Sequence, residues 1–440
     1  MRIATLLPVA DRPASRAYAL WGAAARDLSA ALSSRGFDVT SVSVQDPRAG
    51  SPIFRHGLGT VDDSLRVAQL YRRANDFDLV HDMLGYPALS YASFVATPVL
   101  STVWMEMWQA ASAVYHDLNQ RVFYFAPGDR DRSTGLLYSA TIPWALDPAS
   151  ISPAAAHDDS LVFAGDVDAD GDVLSALELA SRVERPLVLV GGVPESPFFR
   201  EQLLPRIDGQ RVLWIEDAAS PEAHQAVRRA SALVHAGSCD GMQQLVLLDA
   251  ALGGTPVIAI GEIDRPCWLR DGLTGVMCRT VDEAVGAVGR VHEWNHAACR
   301  DTVAAERPFD AFVEAVTGLY ARIVEQQKRE DHRPWGYYQV LADEPDHKVK
   351  RIVVYPGKRL SLQRHARRYE HWYLLDGEAA VVIDEEEIRV LRGQSIEIPK
   401  GCWHRIRNPG SQNLTLIEVQ TGDYFGEDDI ERKEDDFGRS

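Results

Sequence analysis

The sequence predicts two successive α/β halves, residues 1–150 and 151–330, followed by a small all-β domain, residues 331–440. Short apolar runs alternate with helix-period segments through the first two stretches, the pattern of a parallel sheet covered by helices. After the polar run Gln326–His332 the period changes to apolar/polar alternation broken by Pro-Gly and Asp-Gly turns, the pattern of a double-sheet barrel. Between Pro356 and Asn408, Gln, His and Glu recur at strand spacing.

In the first half, Arg2–Val9 reads as a strand and Trp21–Ser34 as a helix that Gly36 stops. Strands at Val39–Val44, Asp78–His81, Pro98–Thr102 and Arg121–Phe125 follow, with a helix over Ser64–Asn75. Sites in such sheets lie beyond the carboxyl ends of the strands. The loop after the first strand, with Asp11, Arg12, Ser15 and Arg16, is therefore a cleft wall or a solvated loop.

The second half repeats the pattern with strands at Ser160–Gly165, Leu187–Gly191, Val212–Ile215, Ala232–Ala236 and Val257–Ile260. Helices are expected over Val173–Arg182 and Leu245–Leu252, and Phe309–Gln327 closes the half. The run Asp166, Asp168, Asp170, Asp172 has the ligand type of a calcium loop, but Leu177 stands where such a loop needs a bidentate Glu.

In the third stretch, strands are expected at Val349–Val354, Trp372–Leu375, Ala379–Ile383, Ser395–Ile398 and Leu414–Val419. Gln363 and His365 are two apart, so on a strand they leave the same face; Glu370 and His404 complete a set of one amide, two imidazoles and one carboxylate. Such a mixed N/O set without thiolate suits a divalent metal, with zinc first and manganese, cobalt or iron behind it.

Composition sets limits. The formal net charge of −17 and pI near 5.2 argue against a broad nucleic-acid or anionic-membrane surface. No apolar run reaches the ~20 residues of a membrane span, and the N-terminus reads as a strand rather than a signal peptide. Five scattered cysteines lack metal-site spacing and fit ordinary thiols in a reducing cytoplasm.

Two resemblances sharpen the reading. The paired Rossmann-like halves resemble the GT-B fold, and Arg35-Gly-Phe-Asp-Val39, Asp76–His81, Gly253–Ile258 and Asp271–Gly275 resemble family-4 glycosyltransferases. That family's donor-binding residues do not carry over cleanly, which reads as a degenerate glycosyltransferase or as one active through altered residues. Ala19-Leu20 stand where a glycine pair is expected, with Gly22 nearby. The acidic 165–172 run stands where two cations belong, and Gly241 and Asp249 occupy the places of its paired glutamates. Asp249 remains a candidate for a nucleotide ribose, with Asp240 as a stand-in for the missing neighbour.

The string Gly357…Gln363-x-His365…Glu370…Gly377, then Gly393…Pro399-x-Gly401…His404…Asn408, resembles the two cupin motifs. The Gln-x-His variant, with Arg333-Pro-Trp-Gly-Tyr337, Arg368-x-Glu-His-Trp372, Leu416–Gln420 and Gly426–Ile430, resembles type II phosphomannose isomerases. One departure is Arg367, where that family usually has His, which would alter the charge near the pocket.

The resemblance implies metal-dependent interconversion of mannose 6-phosphate and fructose 6-phosphate. It points to Arg368, Glu418 and Glu427 as catalytic candidates, without fixing the base among Glu418, Glu427, Asp428 or a metal-bound water. Lys350, Arg351 and Arg405 are candidates for the phosphate. Two other readings stand beside it: a mannosyl-type transferase or phosphorylase taking a nucleotide sugar in the GT-B cleft, and a sugar-phosphate binding protein without turnover. The expected partners are thus a sugar phosphate, a nucleotide sugar under the second reading, and a second copy of the chain through the cupin.

Overall fold

The computed structural model describes residues 1–9, 15–45, 61–119, 121–165, 167, 173–192, 196–237, 241–261 and 265–434. The chain divides into two compact units, Met1–Ala321 and Arg322–Ser440. The helix Phe309–Arg329 crosses that division.

The first unit begins β1 Arg2–Val9, α1 Arg16–Ser34, β2 Asp38–Gln45, α2 Val61–Arg72, β3 Leu79–Asp82, α3 Tyr86–Leu89, β4 Val99–Thr102, α4 Met105–Ala110, α5 Ser112–Asp117, β5 Val122–Ala126 and β6 Tyr138–Thr141. It continues β7 Leu161–Phe163, α6 Val173–Arg182, β8 Leu187–Val190, β9 Val212–Ile215, α7 Pro221–Arg229, β10 Ala232–Ala236, α8 Gln243–Leu252, β11 Val257–Ile260, β12 Gly275–Cys278, α9 Val281–Arg290, α10 His296–Glu306 and α11 Phe309–Arg329.

Two six-stranded sheets result, ordered β2-β1-β3-β4-β5-β6 and β12-β11-β10-β7-β8-β9, and every pairing in both is parallel. The strands β3, β4, β8, β10 and β11 are buried along their whole length, as expected where helices cover both faces. Three helix starts follow their capping chemistry. Ser220 before Pro221, Thr280 and Asn295 each accept a backbone N–H three residues on.

The two expected halves lie in one compact unit, within which α1 packs on α8. Gly22 lies where α1 presses on β1: a Cβ there would come 2.7 Å from the Pro8 carbonyl oxygen. The C-terminal helix is tied down by buried His81, whose Nδ1 meets the Tyr320 hydroxyl at 2.6 Å and whose Nε2 meets Thr102 Oγ1 at 2.8 Å. Burial pushes that imidazole down to about 3, so it stays neutral.

The second unit is antiparallel. Its strands are β13 Glu330–Arg333, β14 Gly336–Asp343, β15 His347–Val354, β16 Leu362–His365, β17 Arg368–Asp376, β18 Glu378–Ile383, β19 Glu386–Leu391, β20 Ser395–Ile398, β21 His404–Arg407, β22 Leu414–Gly422 and β23 Ile430–Glu434. They form one sheet ordered β13-β14-β15-β22-β17-β20 and another ordered β19-β18-β21-β16-β23. Ile352, Val354, Trp372, Leu374, Val381 and Leu416 anchor the core.

Among the described residues no helix is long and apolar enough to cross a membrane. Cys278 and Cys299 are buried thiols, pushed up to about 11 and about 12 by burial.

Candidate functional site

The side chains of β16, β17 and β21 meet inside the second unit. Gln363 and His365 share one face of β16, and Gln363 is the strand partner of His404 on β21. Glu370 comes from β17 in the other sheet. His365, Glu370 and His404 are all buried, and their ligand atoms lie within 4.8 Å of one another. His365 Nε2 stands 3.1 Å from Glu370 Oε1, and His404 Nε2 stands 3.5 Å from Glu370 Oε2.

The trio fits a divalent cation. His404 Nδ1 donates to the Cys402 carbonyl at 3.0 Å, which leaves a bare lone pair on Nε2. That nitrogen is buried, has no hydrogen-bond partner and faces a carboxylate oxygen. Two acceptors turned on each other call for a cation between them. A carbonyl on the far nitrogen is also the outer support that metal-binding imidazoles use. Burial lowers the His404 imidazole, favouring the neutral form that ligates.

Burial by itself would raise Glu370. The His365 hydrogen bond and the charges of His404, His365 and Arg368 outweigh it and hold the carboxyl well below the ordinary carboxylate range. Gln363 lines a cavity together with Glu370, and its Oε1 accepts from Ser361 Oγ at 3.0 Å.

Arg368 is 2% exposed and turned into this cluster. Its Nη2 donates to His365 Nδ1 at 3.0 Å, its Nη1 donates to the Gly426 carbonyl at 3.1 Å, and its Nε lies 3.4 Å from Glu370 Oε1. The same Nη2 lies 3.4 Å from His365 Nε2, so the guanidinium, which only donates, covers both ring nitrogens. For His365 to ligate through Nε2, Arg368 must turn away from the ring.

Beside the trio lies a second buried carboxylate. Glu418 on β22 is the strand partner of Trp372 and of Lys350. Trp372 Nε1 donates to both Glu418 Oε1 (3.1 Å) and Glu370 Oε2 (3.2 Å). Gln420 Nε2 donates to both Glu370 Oε1 (2.9 Å) and Glu418 Oε2 (3.0 Å). Burial, then the nearby Glu370 charge, pushes Glu418 up to about 8, against the opposing pull of Lys350 and Arg368. Lys350 Nζ stands 3.8 Å from Glu418 Oε2 and 4.7 Å from the Tyr338 ring. These groups line a cavity of about 50 Å³ whose wall also holds Arg333, Arg368 and Arg432.

The other expected site residues fall elsewhere. Arg351 is one residue from Lys350 on β15, and its Nη1 reaches the Tyr337 hydroxyl at 3.3 Å. Arg405 follows His404 on β21, so the pleat turns it to the opposite face. Neither Arg351 nor Arg405 lines the cavity, whereas Arg333 and Arg432 do. The sequence offers a signal for Arg432: it lies two residues past the Gly426–Ile430 run.

Arg367 turns outward to Asp423 Oδ2 at 3.0 Å and lies over the Tyr424 ring, so it adds no charge to the cavity wall. Glu427 opens a short 3-10 turn, and its side chain lies outside the described residues. Asp428 hydrogen-bonds the Tyr424 hydroxyl at 2.6 Å.

In the first unit Asp249 is 1% exposed and paired with Arg16, Oδ2 to Nη2, at 2.6 Å. Arg16 also donates to the Ala218 carbonyl at 2.7 Å. The place of a paired glutamate, Gly241, has φ of +61°, and a Cβ there would collide with the Glu106 carboxylate. Glu106 Oε1 accepts from the Met242 N–H at 3.0 Å, next to the start of α8. Asp11, Arg12, Asp166, Asp168, Asp170, Asp172 and Asp240 lie outside the described residues.

Two antiparallel sheets enclosing a buried His/Glu/His trio define the second unit as a cupin-type domain. Residues 321–435 match the family model "Mannose-6-phosphate isomerase C-terminal". The xanthan biosynthesis protein XanB of Xanthomonas campestris pv. campestris is 49% identical over 112 residues, 26% of this chain and 24% of its own. The alginate biosynthesis protein AlgA of Pseudomonas syringae pv. tomato is 46% identical over 134 residues, 29% of this chain and 28% of its own. A mannose-1-phosphate guanylyltransferase of Klebsiella pneumoniae is 41% identical over 114 residues, 26% of this chain and 24% of its own.

The chain thus spans about a quarter of the length of the curated relatives it matches. For the α/β region, the crystal structure of AviGT4, a glycosyltransferase involved in avilamycin A biosynthesis, shares the fold. Its TM-score is 0.53 at 20% identity, covering 74% of this chain and 98% of that one.

Proposed function

We propose that the second unit is a metal-dependent isomerase interconverting mannose 6-phosphate and fructose 6-phosphate. The observation that carries this is the coupling of two buried carboxylates in one cavity. Glu370 is directed at two imidazoles, and Glu418 is kept apart from them by the shared donors Trp372 and Gln420. His365, Glu370, His404 and Gln363 would hold a divalent ion, zinc first by donor type, then manganese, cobalt or iron. Bound there, the ion would polarise the sugar oxygens and make the neighbouring C–H more acidic.

The reaction moves a proton. Glu418 takes it from C2 of the open-chain aldose and returns it to C1, while the hydroxyl proton passes from O2 to O1. A carboxyl pushed up to about 8 is a stronger base once ionised than an ordinary carboxylate. Lys350, 3.8 Å away, favours that ionised form. Arg432, Arg333 and Lys350 supply cations for the phosphate at the cavity wall. The family match and the relatives named for xanthan and alginate biosynthesis support a mannose-related substrate.

The first unit serves in this reading as scaffold or regulator. The Arg16–Asp249 pair and the Glu106 carboxylate beside Gly241 weigh against a nucleotide sugar held by Asp249.

The test is conversion of mannose 6-phosphate by metal-stripped full chain, with zinc, manganese or cobalt added back, beside Gln363→Ala and His404→Ala. Turnover that requires metal and is lost in both variants supports the reading. Metal uptake without turnover under any ion sinks it in favour of a binding protein.

A further inference from the structure

Gln420 has more hydrogen-bonding capacity than its surroundings use. It lies on β22 as the strand partner of Glu370 and is 1% exposed. Its amide nitrogen carries two hydrogens, and both are committed, one to Glu370 Oε1 at 2.9 Å and one to Glu418 Oε2 at 3.0 Å. This fixes which way the amide faces. Turned over, it would set its oxygen against the ionised Glu370 carboxylate. The oxygen Oε1 must therefore face away from both, and there it is buried with no hydrogen-bond partner. Gln420 also lines the cavity that holds Glu370, Glu418, Lys350 and Arg368. A buried, unpaired acceptor is destabilising, and on a residue that lines a cavity it can be satisfied by a donor that enters.

We propose that Gln420 Oε1 accepts a hydrogen bond from the sugar's 3-hydroxyl, so that Gln420 is a specificity-determining residue of the cavity. This rests on the isomerase reading and adds a hydroxyl contact to it. The choice of hydroxyl follows from the amide itself. Its oxygen and nitrogen share one carbon, so a donor to Oε1 lies within a few ångströms of the Glu418 carboxylate that works on C1 and C2. The oxygens on those two carbons take part in the proton shift, which leaves the hydroxyl on the next carbon. A sugar phosphate lacking that hydroxyl would leave Oε1 unpaired, as it is in the empty site.

The test is calorimetric binding to the metal-loaded full chain of mannose 6-phosphate and of 3-deoxymannose 6-phosphate, repeated with Gln420→Met. The expected result is a Kd for the deoxy sugar tenfold or more weaker in the wild-type protein, and equal within twofold for both sugars in Gln420→Met. If that variant fails to fold, Gln420→Asn withdraws the same oxygen by one methylene and is expected to lose the same discrimination. Equal binding of the two sugars by the wild-type protein overturns the inference and leaves the isomerase reading standing. Discrimination that survives in the folded variant overturns it too. No binding of mannose 6-phosphate at all overturns the isomerase reading itself.

Discussion

Arg16 Nη2 stands 2.6 Å from Asp249 Oδ2, and both side chains are sealed from solvent. The pair joins the first turn of α1 to α8, so a residue expected to meet a nucleotide is instead closed off by a cation from within the same unit. Removing one partner leaves the other charge buried and alone. Arg16→Met and Asp249→Leu should each cost about 3–5 kcal/mol, while the double variant should recover most of that loss. Urea unfolding of the three variants would measure it. Additive single losses in the double variant would refute the coupling.

The lone pair on His404 Nε2 gives a prediction for metal. His404→Ala should weaken cobalt or zinc binding by more than the roughly 10–100-fold that loss of an outer support costs. The acid limit follows from the charges. Glu370 is held well below the ordinary carboxylate range, so it stays ionised in mild acid. Imidazole protonation then decides occupancy, and because burial lowers His404, metal should begin to leave only at a pH below the ordinary imidazole value of about 6.5. Cobalt absorption against pH would read this; loss setting in only near pH 4 would point to a carboxylate instead.

Glu418 gives a stability window in metal-free protein. Its folded value, pushed up to about 8, lies above the ~4.3 of an unfolded Glu. Its contribution is therefore full below about pH 4 and is lost as pH climbs toward 8. Glu418→Gln, neutral throughout, should flatten the fall in stability of the second unit between pH 5 and 8. A variant that keeps the wild-type slope would mean another group sets it.

The same carboxyl shapes the rate. A general base must be ionised, so kcat/KM should rise with pH along an acid limb. Lys350 pulls Glu418 down, and Lys350→Met should move that limb toward higher pH. An unmoved limb would remove Glu418 from the role of base.

Local periodicity made much of this legible. The strands β9, β10, β11 and β20 and the helix α6 fall on the expected residues, because short apolar or alternating runs bounded by turn residues admit few alternatives. Gln363 and His365 were readable as one face because the strand period is two. What spacing could not carry is pairing across distance. Gln420 meets Glu370 across 50 residues of sequence, and Arg16 meets Asp249 across 233. Parity was the other gap. Arg351 and Arg405 sit one residue from Lys350 and His404, and a step of one on a strand reverses the face.

That parity makes a direct test of where the phosphate sits. Arg432 faces the cavity as the strand partner of Gln363, whereas Arg351 reaches the Tyr337 hydroxyl and Arg367 reaches Asp423. A cation that meets a phosphate in a partly enclosed site contributes about 1.5–3 kcal/mol through charged hydrogen bonds. Arg432→Met should therefore raise KM for mannose 6-phosphate by roughly ten- to a hundredfold. Arg351→Met and Arg367→His should leave KM within about twofold, since outward surface changes alter little. The contrast depends on one step of the pleat and not on net charge, because Arg432→Met and Arg351→Met each remove one positive charge. A rise in KM shared by Arg351→Met would move the phosphate to the outer face of the sheet and empty the cavity of its role.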